Sequence, residues 1–269
     1  MDLQFNQRLA VVTGADSGIG LATALTLAVE GARVLMTDMA SDTLTTAVNH
    51  VRVAAPGIEV EAIPADLTSQ SDVEKLLKKA KDMGGAHMLA HLAGIRGAAG
   101  DFVELTDSGW QETLDVDLMG AVRVCRAFIP CMLGRGYGRI VLTASENALQ
   151  PYAVEFPYDA AKAGIINLAK SLSKAYGKHG VHVNVVSPAF VKTPMTDEMM
   201  QQRAQENGTS VEEAEQSFLH ENRPGINTGR RGAPQEVANV IAFLCSDVAA
   251  YVDGSNYRVD GGAVETAFG

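Results

Sequence analysis

Several things are scarce in this chain of 269 residues. It has three cysteines, Cys125, Cys131 and Cys245, none in a CxxC pair, and the first two stand too far along and around a helix to bridge. A disulfide framework is therefore set aside, no metal ligand set is assigned, and a reduced, cytoplasmic setting is expected. No apolar run approaches the roughly eighteen residues of a membrane span. The first apolar strand begins within ten residues of Met1, which leaves no room for a leader peptide. Basic clusters are missing too: 22 Lys and Arg against 32 Asp and Glu give a formal net charge of −10. Without a clustered basic surface, neither nucleic acid nor an anionic membrane is an expected partner. No linker, internal repeat or low-complexity tract interrupts the chain, so a single domain over 1–269 is expected.

What is present alternates regularly. Leu9–Thr13 reads as a short buried strand, followed at once by Gly14-Ala15-Asp16-Ser17-Gly18-Ile19-Gly20 and a helical pattern through Glu30. In such a strand, loop and helix, Gly14 makes the tight turn and Gly18 lets backbone approach a pyrophosphate. Gly20 lets the helix pack on the strand, with phosphate at the helix N-terminus. A second strand over 31–38 ends at Asp38, eighteen residues beyond Gly20. A carboxylate there accepts both hydroxyls of an adenosine ribose and repels a 2′-phosphate. Further alternation is predicted as a helix over 41–53, a strand over 58–65, a helix over 70–83 and a strand over 87–93, which implies a parallel sheet. Asp66 either bonds an adenine amino group or begins the turn into Thr68 and Ser69.

Ser145 closes an apolar strand over 139–144; Tyr158 follows thirteen residues later and Lys162 four after that. On a helix, Tyr158 and Lys162 stack on one face. The ammonium then favours the phenolate and draws the phenol from near pH 10 toward the working range. A Tyr and Lys at this spacing are common by chance, and it is the strand-end serine and the glycine loop that give the pair meaning. The run 107–133 reads as one long helix, apolar nearly all round, from Trp110 through Phe128 and Met132. A strand over 181–187 and the exit 188–195 precede a polar, acid-rich insert over 196–223, in which Val211, Ala214 and Phe218 recur at helical spacing. We read the insert as one or two amphipathic helices that cover a ligand. A helix over 234–245 and a strand over 256–259 complete about seven strands.

These motifs, in this order, resemble the classical short-chain dehydrogenase/reductase family over essentially the whole chain. They are Thr13-Gly14 through Gly18-Ile19-Gly20, Asp66-Leu67, Ala93-Gly94, Ser145, Tyr158 with Lys162, the 184–195 strand and exit, and Asp260-Gly261-Gly262. The resemblance implies an α/β, Rossmann-type, doubly wound domain that transfers a hydride between a nicotinamide cofactor and a secondary alcohol or ketone. Carried over, Tyr158 is the acid/base, Ser145 anchors the carbonyl, Lys162 tunes Tyr158 and binds the nicotinamide ribose, and Thr193 bonds the carboxamide. Asp117 stands where the family has an asparagine supporting a water that leads to Lys162. His91-Leu92 replaces Asn-Asn before Ala93-Gly94, and Pro188-Ala189 replaces Pro-Gly. With Asp16 and Asp38 at the adenosine end, NAD(H) is the expected cofactor. Arg96, Glu146, Asn147, Leu149, Tyr152 and Phe190 are substrate-pocket candidates, although Arg96 and Glu146 can equally pair with each other or with the insert. Two alternatives stand beside the alcohol dehydrogenase: a 3-oxoacyl thioester reductase and a dinucleotide-binding sensor without turnover. Family likeness, the apolar run over 107–133 and the Tyr158 helix, rich in small residues such as Ala160, Ala161, Ala163 and Gly164, imply a homotetramer.

Overall fold

In a computed structural model described over residues 3–5, 7–39 and 42–267, β1 (Leu9–Thr13) is buried at every position. That is the pattern of a strand covered on both faces. It pairs in parallel with β2 (Arg33–Thr37) on one side and β4 (Met88–His91) on the other. With β3 (Val60–Ala62), β5 (Gly138–Thr143), β6 (Val181–Pro188) and β7 (Asn256–Val259), it forms one seven-stranded parallel sheet in the order β3-β2-β1-β4-β5-β6-β7. The order reverses between β1 and β4, and a doubly wound sheet opens its ligand crevice at such a switch, beyond the strand C-termini.

Helices cover both faces. α1 (Gly18–Val29), α2 (Asp42–Ala54) and α9 (Pro234–Cys245) bury Leu27, Val48 and Ile241 in one core. α3 (Gln70–Asp82), α5 (Gly120–Arg135) and α6 (Phe156–Tyr176) bury Leu76, Phe128 and Ile165 in the other. Each such side chain contributes about 1.5–3 kcal/mol by leaving water. The predicted helix over 41–53 starts at a residue outside those described. β3 is shorter than the predicted 58–65, although the chain beyond it still follows the β2 edge, with the Ile63 N–H on the Met36 carbonyl at 3.1 Å and the Ala65 N–H on the Asp38 carbonyl at 2.9 Å.

Two expectations change. The run 107–133 is helical throughout but not regular: α4 (Asp107–Leu114) passes through a π-helical turn, Asp115–Met119, into α5. Nor is it apolar all round, since Asp107, Ser108, Gln111 and Glu112 are exposed on α4. The helix that carries Tyr158 and Lys162, α6, begins at Phe156, with Pro157 in its first turn, where a missing N–H costs nothing.

The insert forms two helices, α7 (Pro194–Asn207) and α8 (Val211–Asn222). They bury Met200, Phe218 and Leu219 with Phe190 and Ile226 in a third, smaller core, while Val211 lies exposed. Arg231, only 5% exposed, ties them together through Asp197 at 2.7 Å and Glu215 at 2.9 Å. Among the described residues, no helix is long and apolar enough to cross a membrane.

Candidate active site

A cleft of about 730 Å³ opens at the switch point. Its outer end is the glycine loop. Gly14 and Gly18 have φ of +64° and +51°, a region L side chains rarely enter, and a Cβ on Gly14 would sit 2.7 Å from the Ala93 amide nitrogen. A Cβ on Gly20 would collide with the Gly14 carbonyl. Ser17 makes no side-chain cap bond and the first turn of α1 carries no acid, so its N–H groups stay open to an anion. This cradle suits the pyrophosphate of a dinucleotide.

All the predicted cofactor residues line this cleft: Gly14, Asp16, Ser17, Gly18, Ile19, Gly20, Asp38, Asp66, Leu67, Ala93, Gly94, Tyr158, Lys162, Pro188 and Thr193. The Asp38 carboxylate accepts the N–H groups of Met39 at 2.8 Å and Asp16 at 3.3 Å. Burial holds its pKa above the usual carboxylate value, with a further push from the Asp16 carboxylate. Asp66 does begin the turn, accepting both the N–H and the hydroxyl of Thr68 at 2.8 and 2.7 Å, and it faces the cleft as well. Thr193 caps α7 at the opposite lip.

At the inner end stand Ser145, Tyr158 and Lys162. The Lys162 Nζ is 5.2 Å from the centre of the Tyr158 ring, donates to the Thr143 carbonyl at 3.4 Å and lies 3.9 Å from Asp117 Oδ1. Asp117 stands behind Lys162 rather than on the cleft wall. Its Oδ1 accepts the Ile95 N–H at 2.8 Å, while its buried Oδ2 has no protein partner. Burial raises the Asp117 pKa and Lys162 opposes the shift. The phenol does not follow the sequence expectation. Burial raises the Tyr158 pKa, the Asp117 and Glu146 carboxylates add to this, and Ser145 opposes it.

The His91-Leu92 departure also resolves. Thr13 Oγ1 accepts the N–H groups of Leu92 at 3.1 Å and Ala93 at 3.2 Å, and lies 2.9 Å from His91 Nδ1. Thr13 and His91 thus share one proton across this contact, and the ring Nε2 is buried without a hydrogen-bond partner among the described residues. Burial lowers the His91 pKa to about 3 and Lys162 adds to this. His91 is a neutral tether for the end of β4.

The substrate candidates fare differently. None of Arg96, Glu146, Asn147, Leu149, Tyr152 and Phe190 is on the wall of the cleft. Glu146 and Asn147 are buried in the loop after β5, Tyr152 stacks under Arg223, and Phe190 packs on Phe218 with ring centres 4.7 Å apart. Arg96 pairs with Glu155 at 3.8 Å and Glu146 with Arg223 of the insert at 3.4 Å, not with each other. The cleft wall includes instead Ile95, Glu112, Val116, Ala189 and Met195. Glu112 and Val116 are one helical turn apart, a spacing the sequence displays but does not aim.

The sequence model of the family described as Enoyl-(Acyl carrier protein) reductase matches residues 14–264. The chain is 36% identical over 262 residues to cyclohexanol dehydrogenase of Acinetobacter sp. (strain SE19), covering 97% of this chain and 96% of that one. It is 32% identical over 263 residues to the 3-oxoacyl-[acyl-carrier-protein] reductase FabG of Thermotoga maritima, covering 97% and 100%. The crystal structure of L-sorbose reductase from Gluconobacter frateurii, complexed with NADPH and L-sorbose, superposes with a TM-score of 0.93 at 33% identity, covering 99% and 100% of the two chains. With this sheet, this glycine cradle and this Ser, Tyr and Lys at its inner end, the chain belongs to the classical short-chain dehydrogenase/reductase family of oxidoreductases.

Proposed function

We propose that the protein interconverts a small or medium-sized secondary alcohol and its ketone, with NAD(H) preferred. The observation that carries this reading is the convergence of Ser145, Tyr158 and Lys162 at the inner end of a cleft whose outer end suits a dinucleotide. A bound nicotinamide dinucleotide supplies the hydride acceptor or donor. Tyr158 moves the proton: its phenolate takes the hydroxyl proton in oxidation, and its phenol returns one in reduction. Ser145 meets the substrate oxygen, and Lys162 holds the cofactor ribose and lends its charge to Tyr158.

The preference for NAD(H) rests on charge. Among the cleft-lining residues, Lys162 is the only Lys or Arg, while Asp16, Asp38, Asp66, Glu112 and Asp115 are acidic. A 2′-phosphate beside Asp38 and Asp16 finds like charge and no guanidinium to offset it. The L-sorbose reductase was solved with NADPH, so the fold alone does not choose between the two cofactors.

A second reading, a 3-oxoacyl thioester reductase, is favoured by the likeness to FabG, but the acidic cleft offers little to an acidic carrier. A non-catalytic dinucleotide sensor would need no intact Ser145, Tyr158 and Lys162. The test is turnover of cyclohexanone, L-sorbose, 3-oxobutanoate and a 3-oxoacyl thioester with NADH and NADPH. A ketone reduced fastest with NADH supports the first reading and thioester reduction with NADPH the second. NADH binding without turnover supports the sensor. A cytoplasmic homotetramer completes the proposal: the outward face of α6 carries exposed Ala160, Ala163 and Asn167, short side chains that allow close helix contact.

A further inference from the structure

Ser145 has one hydroxyl proton and is surrounded by acceptors. Glu146 Oε2 lies 2.8 Å from its Oγ and Asn147 Oδ1 lies 3.1 Å away, while the Asn147 backbone N–H donates to Oγ at 3.2 Å. The Asn147 amide cannot reverse its role, because its Nδ2 donates to Glu155 at 2.8 Å and Asp159 at 2.7 Å. The other group beside its Oγ is the Tyr158 phenol, which burial keeps protonated, so in the free site Ser145 donates into the loop. The carboxylate of Glu146, nearer and charge-assisted, is the stronger acceptor.

A substrate carbonyl is an acceptor as well. For Ser145 to anchor it, the proton must turn from Glu146 to the substrate, and the difficulty of that turn depends on the effective charge of Glu146. Glu146 is 4% exposed, and the cation nearest it is Arg223, whose Nε lies 3.4 Å from Oε1. Arg223 directly follows α8, at the end of the insert. Its Nε is buried with no hydrogen bond, and its guanidinium lies 3.5 Å from the centre of the Tyr152 ring. The other charges nearby are Glu155, 3.6 Å from Arg223 and 3.8 Å from Arg96, and Asp159.

We propose that Glu146 and Arg223 are positioning residues that control whether the Ser145 hydroxyl is free to donate to substrate. Docking of the insert brings Arg223 onto Glu146, weakens the carboxylate's hold on the serine proton and so arms the site. With Arg223 withdrawn, an ionised Glu146 keeps that proton. The inference rests on the catalytic role of Ser145 given under Proposed function and adds a path from the insert to it.

The test is reduction of the fastest of the four carbonyl compounds named above by Arg223→Ala, Glu146→Gln and their double variant, each with Ser145 intact and as Ser145→Ala. Thermal melting and NADH affinity are measured alongside. We expect Arg223→Ala to lower kcat about tenfold, within the range for a hydrogen bond to a charged group, with NADH affinity unchanged. The double variant should recover to within about twofold of Glu146→Gln alone. In the Ser145→Ala background, Arg223→Ala should cause no further loss. Arg223→Lys, which keeps the charge, should retain turnover and serves if Arg223→Ala does not fold. An equal loss from Arg223→Ala with and without Ser145, or a double variant no better than Arg223→Ala, would overturn the proposal. Full turnover in Ser145→Ala would instead sink the catalytic reading beneath it.

Discussion

The Lys162 ammonium lies 3.9 Å from the Asp117 carboxylate, with both side chains shut away from solvent. The cation that should favour the Tyr158 phenolate is thus shared with a buried anion. Burial and the charges of Asp117 and Glu146 together push the phenol upward, so the free site is poised to give a proton rather than take one.

The first prediction concerns that anion. Alcohol oxidation needs the phenolate, so its rate rises with pH through the Tyr158 ionisation. Asp117→Asn removes a negative charge beside the phenol, favours the phenolate and moves this limb to lower pH. The variant keeps an acceptor for the Ile95 N–H. A pH profile of kcat/KM that stays put, or moves to higher pH, would contradict this.

Tyr158→Phe removes only a hydroxyl. It should lower kcat by roughly a hundredfold to ten-thousandfold, the range for a positioned proton shuttle, while NADH binds within a few-fold of wild type. Lys162→Ala should weaken both kcat and NADH affinity, because it removes a cofactor contact as well as a charge. Fluorescence titration with NADH separates the two outcomes.

Asp38→Ala should erode the preference for NAD(H) over NADP(H). A carboxylate facing a phosphate dianion costs at least a few kcal/mol when partly buried. The ratio of kcat/KM values for the two cofactors reads this directly, and an unchanged ratio in the variant would assign the preference elsewhere.

For the insert, the sequence suggests a polar lid that orders on substrate. In the docked position seen here its contacts with the rest of the chain run through Arg231, Arg223 and a small core of its own. Ligand binding should therefore slow amide exchange at the start of α7, where Met195 and Thr196 face the cleft, more than around Ala214 and Phe218. Uniform exchange over 196–223, unchanged by NADH, would oppose this.

Association should involve α6. A charged, bulky residue at Ala163, which is exposed, should split the proposed tetramer without unfolding the chain, as seen by sedimentation velocity at micromolar concentration. A wild-type monomer would rule the assembly out.

The glycine loop, Ser145, Tyr158 and Lys162 were legible because each answers a local demand: a positive φ, a strand end, a stacked pair on one helical face. Asp38 and Asp66 were legible from their places at strand ends. Glu146 and Asn147 were misjudged as pocket residues because their partners lie at Glu155, Asp159 and Arg223, and only the folded chain brings these together. The phenol's shift was hidden for the same reason. The motif names the ammonium, but the opposing carboxylates and the burial are tertiary.

The π-turn at Asp115–Met119 also has a bearing on how this stretch is inherited. A π-turn accommodates one residue more than an α-helical path would, and each residue of an α-helix turns the wheel by about 100°. The apolar stripes of α4 and α5 are therefore out of phase on a single wheel, which is why 107–133 read as wet nowhere. Deleting one residue within the turn would let the helix run straight through, yet it would swing Asp117 off Lys162 or the α5 stripe off its core. Single-residue gaps in this stretch should therefore be rare among variants that still turn over, even where point substitutions are tolerated.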